Sequence, residues 1–212
     1  MINGEFKDRN YSKLILASAS PRRLELLRQI FPTFHIEVLV CELDESIKEN
    51  EKPTELVSRL ALAKAMGVAS KYGRERFDAL IIGADTEIVL DGKVLGKPED
   101  DSEAETMLYS LSGRSHDAIT GFAIVNPNTK QQFVNVVSTE VSFKNISQKT
   151  IASYIRTGEP IGKAGAYGIQ GKGAILIDGI NGSYSNVVGL PLERLSESLE
   201  IIFQFPVWSS DL

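Results

Sequence analysis

Residues 14–23 read Leu14-Ile15-Leu16-Ala17-Ser18-Ala19-Ser20-Pro21-Arg22-Arg23, passing from apolar to small to cationic within one short stretch. The apolar run Leu14–Ala17 predicts a buried strand. Ser20 is a natural helix N-cap, and Pro21 suits the first helical position, where its missing N–H costs nothing. Leu24, Leu26, Leu27 and Ile30 then supply the buried face of a helix to about Phe31. A strand that feeds a helix N-terminus presents free backbone N–H groups and the positive end of the helix dipole. Two serine hydroxyls and two guanidinium groups at that point make an anion site best suited to phosphate. Taken alone, the segment fits an ordinary capped helix with two solvated arginines equally well.

Beyond this segment, residues 34–40 predict a second strand and Pro53 to about Tyr72 a long helix, with Leu56, Val57, Leu60, Ala63, Ala65 and Val68 at helical spacing. Residues 79–82 and 87–90 read as two strands, followed by an Asp91-Gly92 hairpin turn into residues 93–95. A helix over 101–112, strands over 118–125 and 134–143, and a helix from the Ser147 cap to about Arg156 come next. Residues 158–173 hold six glycines and read as a loop or a set of tight turns, before a strand over 174–178 and a final helix over 191–203. Helices and strands without strict alternation predict an α/β domain with a mixed sheet.

Composition narrows the function classes. The chain has 212 residues, 42% hydrophobic and 24% charged, which is ordinary for a globular protein with a substantial core. Its net charge of −5 argues against a broad electropositive face for nucleic acid and leaves room for a local basic cleft. Cys41 is the only cysteine, so no internal disulfide can form and a structural zinc site is not expected. No apolar run is long enough to span a bilayer, and residues 1–13 lack the apolar segment of a signal peptide, so the expectation is a cytoplasmic protein with no membrane partner. Sequons at Asn10, Asn145 and Asn181 then read as chance matches.

Further polar residues are candidates for chemistry. Asp85 and Thr86, in Gly83-Ala84-Asp85-Thr86, follow an apolar run, and a carboxylate at a strand end can hold a hard cation or activate water. A turn aspartate bonded to its own backbone is the plainer alternative. Lys97 returns from the hairpin to the same sheet edge, and Asp44 or Glu45 could add a second acidic ligand, although both fit a solvated loop. In residues 163–173 the glycines allow close approach to a ligand, and Gln170 offers both a donor and an acceptor, as reading a nucleobase edge requires. No Walker A or Rossmann fingerprint occurs. His35 and His116 are isolated, and Cys41 reads as a small core residue.

Six segments, in order, resemble the Maf family of nucleoside triphosphate pyrophosphatases: LASASPRRLELL (16–27), GADT (83–86), LGKP (95–98), LSGRSH (111–116), KAGAYGIQGKG (163–173) and INGSYSNVVGLPL (180–192). The resemblance covers nearly the whole chain and implies one domain over 13–212 behind an N-terminal extension of 1–12, to which no role is given. It implies an inosine-triphosphatase-like α/β fold, with a twisted mixed sheet and a long cleft between two lobes. The implied reaction splits a nucleoside triphosphate between its α and β phosphates with a divalent cation, Mg²⁺ or Mn²⁺.

By the same resemblance Asp85 is the catalytic acid–base or metal-ligating residue. Lys97, Arg23, Lys64 and Glu45 match other polar cleft positions, Glu45 as a second metal ligand, and Ser18 with Ser20 matches the phosphate-binding loop. Arg22, Thr86 and Gln170 stand at positions associated with the dTTP/UTP branch, whose members sometimes accept CTP or modified pyrimidines. A homodimer is what the family suggests. Two alternatives stay open: a non-catalytic nucleotide-binding regulator of septum formation, and a 7-methyl-GTP pyrophosphatase of the sister branch, against which the run AYGIQG counts.

Overall fold

The computed structural model describes residues 11–71 and 78–208. The sequon at Asn10, the expected helix end at Tyr72 and most of the expected N-terminal extension lie outside these residues. Thirteen elements organise the described chain: β1 (Lys13–Ala17), α1 (Pro21–Ile30), β2 (Ile36–Val38), α2 (Pro53–Lys71), β3 (Ala79–Leu90), β4 (Lys93–Val94), α3 (Asp101–Leu111), β5 (Ser115–Val125), β6 (Gln132–Phe143), α4 (Gln148–Ile155), β7 (Ile177–Asn181), α5 (Tyr184–Val188) and α6 (Leu192–Phe203).

The sheet is mixed, as expected, in the order β2-β1-β3-β5-β6-β7, with β4 also paired to β3. β1 is parallel to β2 and to β3, and the other pairs are antiparallel. The Asp91-Gly92 hairpin turn has positive φ at both residues, the type I′ geometry that matches strand twist. Among the described residues no helix is long and apolar enough to cross a membrane.

One correction matters for function. The two short strands expected around Gly83–Thr86 are one continuous strand, β3, paired residue by residue with β5 from Ile81↔Val125 to Val89↔Asp117. Asp85 therefore sits inside a ladder, not at a strand end. Gly83 had the look of a terminator, but its lack of a side chain serves packing instead. A Cβ there would lie 2.2 Å from the Ala61 carbonyl oxygen, and one on Gly121 would lie 2.3 Å from that of Val57. These two glycines let α2 lie directly against the sheet.

Smaller departures have local causes. β2 is shorter than expected, although Leu39 N–H still donates to Leu16 C=O beyond it. The strand expected over 174–178 is a 3₁₀ turn over Lys172–Leu176 followed by β7, because the register with β6 pairs Ile177–Asn181. The segment 183–189 contains a helix that the sequence reading missed. Ser183 caps α5 by accepting from Asn186 N–H, and Gly189 ends it with φ 130°.

The core explains the two lobes. On one face Leu14, Leu16, Leu80, Ile82 and Phe122 pack against Leu26 and Leu27 of α1 and Leu195, Leu199 and Phe203 of α6. Farther along the same face, Ile88, Leu90 and Phe143 pack with Leu108 of α3, Ile151 of α4 and Tyr167. Each large side chain buried this way contributes roughly 1.5–3 kcal/mol of transfer free energy. Between the two clusters β3 carries polar residues, so the apolar packing is interrupted there.

Candidate active site

The interruption is a cleft of about 650 Å³, a size suited to a small-molecule ligand. Its position follows from strand lengths. β1 covers one edge of β3 up to Gly83 and β4 covers it from Val89, so no strand pairs with Ala84–Glu87 on that side. The cleft thus reaches both faces of the sheet. Strand alternation puts Asp85 and Glu87 on one face and Thr86 on the other.

On the first face, Lys64 Nζ lies 2.7 Å from Asp85 Oδ1 and 2.7 Å from Glu45 Oε1. One lysine of α2 therefore joins the loop carboxylate to the strand carboxylate. Partial burial pushes the Glu45 carboxyl up, but Lys64 and then Lys97 outweigh this and hold it below the usual range. Asp44 is exposed and accepts from Ser46 N–H, the solvated turn that was its plainer reading.

Asp85 is buried, and its Oδ2 has no partner. Glu87 Oε2 is likewise buried and unpartnered. Burial, and secondarily the Asp85 charge, pushes the Glu87 carboxyl up to about 7. The sequence reading passed over Glu87 because it stands among strand-forming residues. Its i+2 spacing from Asp85 was the signal that could have found it. Two hard oxygen atoms without partners on one strand face fit a divalent cation. Among the described residues no cluster of three or more His, Cys, Asp or Glu side chains could hold one, so a cation here would need ligands from substrate or water as well.

On the other face, Arg23 is buried and fully directed. Its Nε–H donates to Gly189 C=O (2.8 Å), Nη1 to Ser18 Oγ (3.0 Å) and Nη2 to Thr86 Oγ1 (2.9 Å). Thr86 Oγ1 is 2.9 Å from Thr120 Oγ1, and Thr120 in turn donates to Asn186 C=O. Asn186 Nδ2 donates to Ala118 C=O and Thr139 Oγ1. This chain ties β3, β5, β6 and α5 to α1, so Arg23 and Thr86 hold the cleft wall in shape as well as lining it.

The residues expected to form an anion site at α1 come together at the cleft. Ser18, Ser20, Arg22 and Lys97 line the cleft. Ser20 occupies the N-cap position, but its side chain makes no cap hydrogen bond, and its N–H donates to Ser18 Oγ. Its hydroxyl makes no hydrogen bond among the described residues. Gln170, exposed on the glycine-rich loop, also lines it. Every residue singled out for the site except Asp44 thus borders one cavity. His35 is exposed and remote from it. His116 is buried, its Nε2 2.8 Å from Tyr167 Oη. Cys41 lies beyond β2, half-buried over Gly67 of α2 and at the cleft wall.

The sequence model of the Maf-like protein family matches residues 13–202. The chain is 50% identical to a dTTP/UTP pyrophosphatase of Symbiobacterium thermophilum, over 93% of this chain and 97% of that one. It is 46% identical to a dTTP/UTP pyrophosphatase of Clostridioides difficile, over 90% of this chain and 95% of that one. Among solved structures, a HAM1 protein from Coxiella burnetii overlaps 64% of this chain and 75% of its own at 18% identity, with a TM-score of 0.44. A family match over nearly the entire chain, with relatives at 46–50% identity over most of it, leads to one conclusion: this protein belongs to the Maf family.

Proposed function

We infer that this protein is a nucleoside triphosphate pyrophosphatase that hydrolyses dTTP and UTP to the monophosphate and pyrophosphate, a housekeeping activity on the nucleotide pool. The relatives at 46–50% identity support this assignment. The observation that carries the chemistry is the Lys64–Asp85 contact. Lys64 occupies Oδ1 and leaves the buried Oδ2 as an open acceptor at the edge of the cleft. A pure nucleotide binder has little use for a buried carboxylate beside a triphosphate.

A triphosphate carries about four negative charges, so an acidic protein must concentrate its cations where it binds. Arg22, Arg23, Lys97 and the N-terminus of α1 supply them along the cleft, with the Ser18 and Ser20 region at the phosphates. Asp85 Oδ2 accepts a proton from water as that water attacks the α-phosphorus in line. The bond from the α-phosphorus to the bridging oxygen breaks, and pyrophosphate leaves with the bonding pair. Lys97 and the arginines stabilise the departing charge. Glu45, paired with Lys64, stands at the loop side, while Asp85 and Glu87 are the residues that would hold Mg²⁺ or Mn²⁺, with substrate oxygens and water completing the set. Bound there, the cation would neutralise phosphate charge and lower the pKa of water.

Gln170, which lines the cleft, would pair with the pyrimidine edge, where an imide N–H stands between two carbonyls. A mismatched base would forgo those paired hydrogen bonds, each worth about 0.5–1.5 kcal/mol net. The test is phosphate release from a panel of nucleoside triphosphates, with and without inorganic pyrophosphatase. Release from dTTP and UTP only with the coupling enzyme is the expected result. Release without it would indicate γ-phosphate removal and overturn the mechanism. No turnover by folded protein would favour the binding regulator.

A further inference from the structure

Six glycines in residues 158–173 predict a segment of high conformational entropy, yet the structure holds it at both ends through a single carboxylate. Glu159 follows the turn after α4. Its Oε1 accepts from Tyr154 O–H (2.9 Å) and Gly173 N–H (3.0 Å), and its Oε2 accepts from Lys172 N–H (2.8 Å). The Tyr154 oxygen in turn accepts from Gly168 N–H (3.2 Å). Gly168 and Lys172–Gly173, the two flanks of Gln170, are thereby tied to two side chains that touch each other. Lys163 Nζ closes the turn from outside by donating to the Glu159 carbonyl oxygen.

The glycines fit this arrangement. A Cβ on Gly171 would lie 2.4 Å from Glu159 Oε2, and one on Gly173 would lie 2.7 Å from both the Tyr154 oxygen and the Gly168 carbonyl oxygen. The carboxylate is also kept charged. Burial pushes it up, but the N–H groups of Gly173 and Lys172 outweigh this and hold it below the usual range. Hydrogen bonds to an ionised acceptor are roughly twice as strong as neutral ones. Gln170 itself makes no side-chain hydrogen bond among the described residues, and Ile169 anchors only the near side of the loop, against the main core.

We propose that Glu159 is a positioning residue for substrate specificity: with Tyr154 it sets the backbone of residues 168–173 so that Gln170 meets the base edge. The proposal rests on the assignment of Gln170 to base recognition. A paired hydrogen bond tolerates a displacement of only about 0.5 Å, and misplacement by about 1 Å can cost a hundredfold in rate. Glu159 does not touch the reacting phosphate in this scheme. Its loss should therefore act on base discrimination and KM, not on phosphate handling.

The test compares Glu159→Ala, Glu159→Gln and Gln170→Ala, singly and as the double variant Glu159→Ala/Gln170→Ala. Glu159→Ala should raise KM for UTP about tenfold or more and narrow the UTP-to-GTP ratio of kcat/KM. Inhibition by inorganic pyrophosphate should stay unchanged. The double variant should discriminate no worse than Gln170→Ala alone. Hydrogen exchange should show lost protection at the Lys172 and Gly173 amides in Glu159→Ala. Glu159→Gln, which keeps an acceptor, should fall in between and replaces the alanine variant if that one does not fold.

Lost protection with an unchanged UTP-to-GTP ratio, where Gln170→Ala does change it, would reduce Glu159 to a structural role and overturn the proposal. If Gln170→Ala leaves the ratio unchanged, the base-reading assignment falls. The loop clamp is then judged on exchange alone, supported by lost protection and overturned by protection that persists.

Discussion

Lys64 Nζ touches Asp85 Oδ1 at 2.7 Å, and this one contact joins the middle of α2 to the middle of β3. The helix approaches closely enough only because Gly83 and Gly121 beneath it have no side chains. Packing and chemistry are thus set by the same crossing. The ammonium orients the carboxylate and leaves Oδ2 without a partner, the atom proposed to accept the proton from water.

Asp85→Asn keeps the shape and removes the proton acceptor. Turnover of UTP should fall by on the order of a hundredfold or more, the scale of losing an acid–base group. Steady-state kinetics on protein with an unchanged circular dichroism spectrum would check this, and near-normal kcat would remove Asp85 from the reaction.

Glu87→Gln separates binding from stability. Two carboxylates on one strand face repel, so relieving one charge should raise the Tm of the metal-free protein. The same change replaces a charged oxygen donor by a neutral amide, so Mn²⁺ should add less to the Tm of the variant than to that of the parent. Differential scanning calorimetry with and without Mn²⁺ reads both. An equal Mn²⁺ increment in the two proteins would exclude Glu87 as a ligand.

Gly83→Ala should be far more damaging than Gly92→Ala. At Gly83 the new methyl meets the Ala61 carbonyl at 2.2 Å and the Ala65 nitrogen at 2.9 Å, so the helix must shift. Overpacking of this kind costs about 1–3 kcal/mol or more, and here it also displaces Lys64 from Asp85. Gly92 has open space around it and only a positive φ to satisfy, at roughly 1–2 kcal/mol. Urea titrations should show the larger loss at Gly83, and activity should fall with it but not at Gly92.

His116 predicts acid sensitivity. Burial lowers its pKa to about 4 from 6.5. As pH falls through 6.5 the unfolded chain takes up a proton that the folded chain refuses until about 4, so stability declines across that window. The full effect is on the order of 3 kcal/mol, absent above pH 6.5. His116→Phe removes the titrating group, and its unfolding midpoint should fall less steeply between pH 7 and 4. Parallel curves for the two proteins would show that other groups control the acid limb.

Much of the site was legible because its signals are local. The strand-to-helix turn at Ser18–Arg23 declares itself through an apolar run, a proline and two arginines, and it stands where expected. Asp85 was legible as a residue but not as a place, because a glycine before it has the same appearance in a turn and under a crossing helix. Glu87 was invisible for the opposite reason: a charged residue within a strand pattern reads as solvent-facing until its environment is known. The short helix α5 was lost among turn-forming residues, although its Asn186 is fully buried and bonded to β5 and β6.

The sequence by itself determined the class of the fold, the strand-to-helix turn at Ser18–Arg23 and the family, since these depend on residue types a few positions apart. Tertiary structure alone decided which edge of β3 stays open, that Lys64 is shared between Asp85 and Glu45, and that Glu87 is pressed beside Asp85. The Lys64 contacts join residues about twenty positions apart, and the burial of Glu87 depends on elements packed over its strand. They follow from strand register and helix packing, which depend on the whole chain collapsing around one core.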